Sequence, residues 1–146
     1  MDNSLCAIVQ STVGIIPHGE LHDLMRGRPQ LLRLIWRASL VQGVMFREWL
    51  MRNSRLPADA AMAHLFCEIF IRSKAAGLVE NGSCEMPVTQ EMLADALGLT
   101  GVHVNRTLRT LRDTGMVDHK GRMLLVLDFK RLAEFADFDP GYLHLR

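Results

Sequence analysis

Thr89-Gln90-Glu91-Met92-Leu93-Ala94-Asp95-Ala96-Leu97-Gly98-Leu99-Thr100-Gly101-Val102-His103-Val104-Asn105-Arg106-Thr107-Leu108 is the stretch that decides the fold. Thr89 can cap a helix, with Gln90 and Glu91 in its first turn, where the positive end of the helix dipole favours a carboxylate. Met92, Leu93, Ala96 and Leu97 give that helix an apolar face, and Gly98 ends it. Leu99 reads as buried in the turn. Thr100 caps a second helix from Gly101 to about Asp113, with Val104, Leu108 and Leu111 as an inward stripe at spacings of four and three. Two short helices joined by a tight turn containing Gly form a helix-turn-helix.

The outward face of the second helix is Gly101, Val102, His103, Asn105, Arg106, Arg109 and Arg112. From Gly101 to Arg112 there are three arginines and no acids. The whole chain has 17 basic and 16 acidic residues, a net charge of +1, so this helix concentrates positive charge that the total does not show. Phosphates attract such a face, and Arg and Asn are the side chains that read G and A edges in a bidentate way. Gly101 is small enough to let the helix approach closely. An ordinary solvated arginine face is the competing reading. The two caps, the Gly98 turn and the segment that follows weigh against it.

That segment is Gly115, Met116-Val117, a polar turn Asp118-His119-Lys120-Gly121-Arg122, then Met123-Leu124-Leu125-Val126-Leu127. It predicts two short strands around a Gly-containing turn, a wing beside the helix-turn-helix. Lys120 and Arg122 at its tip can touch a phosphate backbone; serving the solubility of a turn is the equally simple alternative.

Upstream, Ala58 to about Ala76 reads as an apolar helix with Met62, Leu65, Phe66, Ile69 and Phe70 on one face. It is separated by Leu56-Pro57 from a longer one. The longer helix runs from Gln30 to about Asn53, with Pro29 in its first turn. Leu31, Leu34, Ala38, Val41 and Met45 form one apolar row, and Leu32, Ile35, Trp36, Leu40 and Val44 form a second beside it. Two seams predict two partners, the chain's own body and a helix of another subunit, and a period near 3.5 suits such pairing. His18 to Gly27 predicts a short helix. Ile8, Val9, Thr12, Val13, Ile15 and Ile16 predict one or two short strands with few partners in the chain.

Composition excludes several classes. With 49% hydrophobic and 23% charged residues the chain is neither disordered nor fibrous. Its apolar runs fall far short of the roughly 18 residues of a membrane span, and the N-terminus shows no secretory signal. Cys6, Cys67 and Cys84 form no C-x-x-C pair, which suits reduced thiols in the cytoplasm. His64 and Cys67 lie one turn apart without further ligands, so no metal or cofactor is expected. No nucleophile elbow, phosphate loop or zincin motif occurs, and no enzyme is expected.

Residues 89–108 resemble the winged helix-turn-helix of Crp/Fnr-type bacterial transcription regulators. Phe46-Arg47-Glu48-Trp49-Leu50 and Ala63-His64-Leu65-Phe66-Cys67-Glu68 resemble that family's dimerisation helix and the helix after it, and Phe138-Asp139-Pro140-Gly141-Tyr142-Leu143-His144 resembles the tail of one subgroup. The resemblance implies a mainly α fold with a small β wing. Residues 1–28 would be the last strands and a short helix of an effector-binding β-roll, 29–55 a dimerisation helix, and 56–146 the DNA-binding domain. It implies a homodimer on palindromic double-stranded DNA, with Leu34, Ala38, Val41, Met45 and Trp49 at the dimer seam and RNA polymerase as a further candidate partner. Thr89, Gln90 and Thr100 match phosphate-contacting positions. The family's core arginine falls on Arg106. Asn105 and Val102 depart from the well-known pattern, which leaves the half-site open. No cyclic nucleotide is expected: the phosphate-binding cassette is absent, and Leu40 to Asn53 contains neither Ser nor Thr. The alternative is an interaction protein that pairs with a full-length relative and makes its output deaf to the effector.

Overall fold

The computed structural model describes residues 6–145. Its first helix, α1, is His18–Gly27, followed by the 27-residue α2, Pro29–Arg55. Pro29 supplies no N–H and has the right φ for a helix start, so it sits in the first turn. Leu56 takes an extended conformation before Pro57, which is where α2 stops. Helix α3, Ala58–Ala75, is the centre of the structure: every residue from Ala60 to Glu68 is buried. A helix enclosed on all sides needs neighbours on all sides, and α3 has them in α2, the helix-turn-helix, the sheet and the last helix.

After α3 the chain turns at Asn81 and Gly82, both in the left-handed region, into β1, Ser83–Glu85. The Glu80 and Ser83 backbones exchange two hydrogen bonds (2.9 and 2.8 Å) across this two-residue turn. Helices α4 (Gln90–Leu97) and α5 (Gly101–Asp113) follow, then β2 (Val117–Lys120), β3 (Met123–Val126) and α6 (Phe129–Phe135), and a 3₁₀ turn at Pro140–Leu143. The sheet is antiparallel with order β1-β3-β2. Met62, Phe66, Met86, Leu93, Leu111, Met116, Leu124 and Leu132 meet beneath it as the core.

Three expectations are corrected. Residues 6–17 form no strand. Val13, Ile15 and Ile16 are 74%, 89% and 58% exposed, because no neighbouring strand offers a ladder for their backbone. The wing has three strands rather than two: β1 is only three residues long and too short to read from alternation. The wing turn is also tighter than Asp118–Arg122. Lys120 pairs with Met123, leaving Gly121 and Arg122 as the turn, with Gly121 at φ +62°. Asp118 and His119 therefore lie in β2, and alternation turns His119 inward and Lys120 out.

Candidate nucleic-acid interface

Local hydrogen bonds hold α4 and α5 as the sequence predicts. The Thr89 hydroxyl accepts from the Met92 N–H (3.1 Å), and the Thr100 hydroxyl from the His103 N–H (3.3 Å). Gly98 ends α4 with φ +63°, which lets the Leu99 N–H return to the Ala94 carbonyl (2.9 Å). A side chain at Gly98 would meet nothing within 4 Å, so it is the backbone conformation that asks for glycine there.

Helix α5 buries Val104, Thr107, Leu108 and Leu111 against the body and exposes Gly101, Val102, Asn105, Arg106 and Arg109; His103 is half-buried. Val102 is 83% exposed. A Cβ at Gly101 would meet nothing within 4 Å, so the chain's own packing does not require glycine there. Asn105 donates to the Gly101 carbonyl (3.1 Å), which leaves its amide oxygen and second N–H outward. Arg106 Nη2 lies 3.0 Å from His103 Nε2, an arrangement in which a neutral imidazole accepts from the guanidinium. Neither Arg106 nor Arg109 has an acidic partner among the described residues, and the same holds for Lys120 on the wing.

The other two expected cations are engaged. Arg112 pairs through Nε with Asp118 (3.2 Å) and donates through Nη2 to the His119 carbonyl, so it braces α5 against β2. Arg122 makes two bonds to Glu85 Oε1 (3.2 and 3.0 Å), tying the wing turn to the end of β1. Glu85 lies 37 positions from Arg122, and Asp118 follows Arg112 at six, a spacing that matches no helical neighbour. Gln90 is the first residue of α4 and exposed; Thr89 and Thr100 are exposed at the helix starts.

The rows of α2 separate in space. No residue of α2 is fully buried. Met45 and Trp49 pack against the chain's own core, and the Trp49 indole donates to Glu68 (2.8 Å). Leu34 and Ala38 are exposed and Val41 half-buried. The open apolar surface lies largely on the second row and its continuation: Trp36 63%, Leu40 60%, Phe46 72% and Leu50 63% exposed.

Among the described residues no group of three or more His, Cys, Asp or Glu is placed to hold an ion. Burial pushes the Cys67 thiol up to about 12, which keeps it protonated and inert. Burial, then the charge of Arg52, lowers the pKa of His64. Burial, then the charge of Arg112, lowers that of His119. No helix among the described residues is long and apolar enough to cross a membrane.

Residues 60–135 match the Crp-like helix-turn-helix domain. Over 125 residues the chain is 34% identical to the transcriptional activator protein FnrL of Cereibacter sphaeroides, covering 82% of this chain and 50% of that protein. The chain belongs to the Crp/Fnr family of transcription regulators. Among solved structures it is similar to FixK2 from Bradyrhizobium japonicum, with TM-score 0.67, 20% identity, and coverage of 82% of this chain and 59% of that one. It is also similar to OCPA-complexed CprK, with TM-score 0.61, 16% identity, and coverage of 80% and 53%. At those identities the two structures speak to the fold alone. The chain spans about half the length of the curated Crp/Fnr relative it matches. FnrL is a transcriptional activator, and α4 and α5 lie within the Crp-like helix-turn-helix domain.

Proposed function

We propose that the chain is a DNA-binding transcription regulator that docks as a homodimer on two inverted half-sites. One observation carries this reading: α5 presents an exposed face on which Arg106 and Arg109 have no acidic partner among the described residues, with no carboxylate between Gly101 and Arg112. Asn105 and Arg106 are the base readers, with Gly101, Val102 and His103 beside them at the entry of the helix. Thr89, Gln90 and Thr100, at helix N-termini, and Lys120 meet phosphates, where N–H groups and the dipole favour an anion. Arg122, held by Glu85, contributes less than Lys120.

Residues 29–55 serve as the dimerisation helix and 56–146 as the DNA-binding domain. The apolar face around Leu40 and Phe46 would otherwise stay in water, and patches beyond a few hundred Å² are unusual on a monomer. The seam is centred on Trp36, Leu40, Phe46 and Leu50; Leu34, Ala38 and Val41 belong to the row of Met45 and face away from it. The regulator works in the cytoplasm, with its output read by RNA polymerase bound alongside. No cyclic nucleotide is proposed as effector, since Leu40 to Asn53 offers no hydroxyl.

Selection of bound duplexes from a random pool tests the reading. Recovered sites should carry two inverted half-sites about one helical turn apart, roughly 34 Å. Recovery of single, unpaired half-sites would contradict it.

A further inference from the structure

The foot of α2 is tied to the winged unit by side chains that DNA contact does not explain. Glu68 of α3 is only 4% exposed. Its Oε2 accepts from the Trp49 indole of α2 (2.8 Å) and from the Tyr142 hydroxyl of the 3₁₀ turn (2.7 Å), while Oε1 accepts from Arg72 one turn along α3 (3.1 Å). His64 stacks on the Tyr142 ring, with centroids 5.9 Å apart, and meets Phe138 edge-on at 5.0 Å. Two further ties flank this centre. Arg52 bonds Glu48 (2.7 Å) and, across 85 positions, Asp137 (3.0 Å). Asn53 donates to the Ala96 carbonyl at the end of α4 (3.0 Å).

We infer that Trp49, Glu68 and Tyr142 form a latch through which the tail after α6 sets the angle between α2 and the helix-turn-helix, making them positioning residues for reading two half-sites at once. The inference rests on the dimeric reading above. The link from α2 to α3 is Leu56-Pro57, two residues in extended conformation held only by the apolar packing of Leu56 on the core. The buried carboxylate adds a directional constraint. An ionised group out of water is tolerated only when its acceptor sites are filled, and one arrangement of α2, α3 and tail fills these. Burial, then Glu68, raises the Tyr142 pKa, so this hydroxyl is a donor throughout the neutral range. In a dimer the two recognition helices are held apart by two such feet. Tilt at either foot becomes displacement along the duplex, where one base pair is about 3.4 Å.

The test uses the full chain as wild type, Tyr142→Phe and Trp49→Phe, each of which keeps the ring and removes one donor. Each is titrated on the selected palindrome, on palindromes with one base pair added or removed between half-sites, and on a single half-site. Wild type should discriminate sharply against altered spacing. Either latch variant should lose about tenfold of that discrimination, the worth of one hydrogen bond to a charged group, with single half-site affinity unchanged. Arg72→Gln removes a bond to the same carboxylate from within α3 and should preserve discrimination. Equal losses on palindrome and single half-site would make Tyr142 and Trp49 fold-stabilising contacts and overturn the latch. So would unchanged discrimination in both variants, with wild type still spacing-selective. A wild type indifferent to spacing would remove the dimeric reading, and the latch with it.

Discussion

Helices α5 and α2 both carry apolar stripes, and the fates of those stripes differ. Helix α5 buries Val104, Thr107, Leu108 and Leu111 and turns a cationic face to solvent. Helix α2, twice as long, buries no residue completely and leaves Trp36, Leu40, Phe46 and Leu50 open. The first is complete within one chain: its apolar half is satisfied and its polar half is free to meet an anion. The second leaves an apolar face open. One helix offers a charged face, the other an apolar one, and the partners proposed for them differ.

The comparison breaks most visibly at α2. Leu40→Glu with Phe46→Glu should leave the fold intact, because both side chains already face water, yet raise the dimer dissociation constant by about two orders of magnitude or more. Sedimentation velocity reads the association and thermal unfolding the fold. Met45→Glu, on the seam that faces the body, should instead lower the unfolding midpoint. A wild type already monomeric at micromolar concentration would contradict the homodimer; pairing with a longer relative under those conditions would make the open face a mixed-dimer seam.

At α5 the expected effects are smaller, and local in origin. Gly98→Ala should cost about 1–2 kcal/mol, since a Cβ has space but φ +63° is unfavourable for an L residue. Thr100→Ala should cost about 1 kcal/mol through loss of the cap. Denaturant midpoints check both.

Acid adds a pH dependence from the buried core. Burial lowers the pKa of His64 and His119 below the ordinary 6.5, and Nε2 of each has no hydrogen-bond partner among the described residues. The unfolded chain then binds protons more readily. Their contribution to stability is complete above about pH 6.5 and is lost as pH falls through the lowered values. The unfolding midpoint should drop between pH 7.5 and 5.5, and His64→Gln should reduce that drop; a pH-independent midpoint would contradict it.

The smallest effect separates two cations of the wing. Lys120→Ala should reduce the salt slope of DNA binding by about one, whereas Arg122→Ala, already neutralised by Glu85, should reduce it by less. Titration at several salt concentrations decides between them.

What could be read from the sequence follows the range of the interactions. Thr89, Gly98 and Thr100 act on backbone within five residues, so α4, its turn and α5 were legible, as was the inward stripe of α5. The two seams of α2 were legible as seams. Which one faces the body was not, because that depends on Trp49 reaching Glu68 across 19 positions and Tyr142 reaching it across 74. Met45 and Trp49 were accordingly expected at the dimer seam and lie against the core. Arg112 and Arg122 looked free because Asp118 reaches the first only when β2 packs against α5, and Glu85 reaches the second only when β1 pairs with β3. The apolar run before Pro17 looked like strands because β-branched residues report a preference, and a strand without a neighbour has no ladder to join.

The central claim is that the exposed face of α5 reads bases rather than merely attracting phosphates. Arg106→Ala, titrated against the selected duplex and a scrambled duplex at matched salt, tests it most directly. A bidentate Arg–guanine contact is worth about 1–3 kcal/mol of discrimination. The substitution should therefore weaken the selected duplex by roughly that amount, leave the scrambled one changed only by the lost charge, and flatten preference at one base pair per half-site. An equal loss on both duplexes would make Arg106 a phosphate clamp and contradict the account.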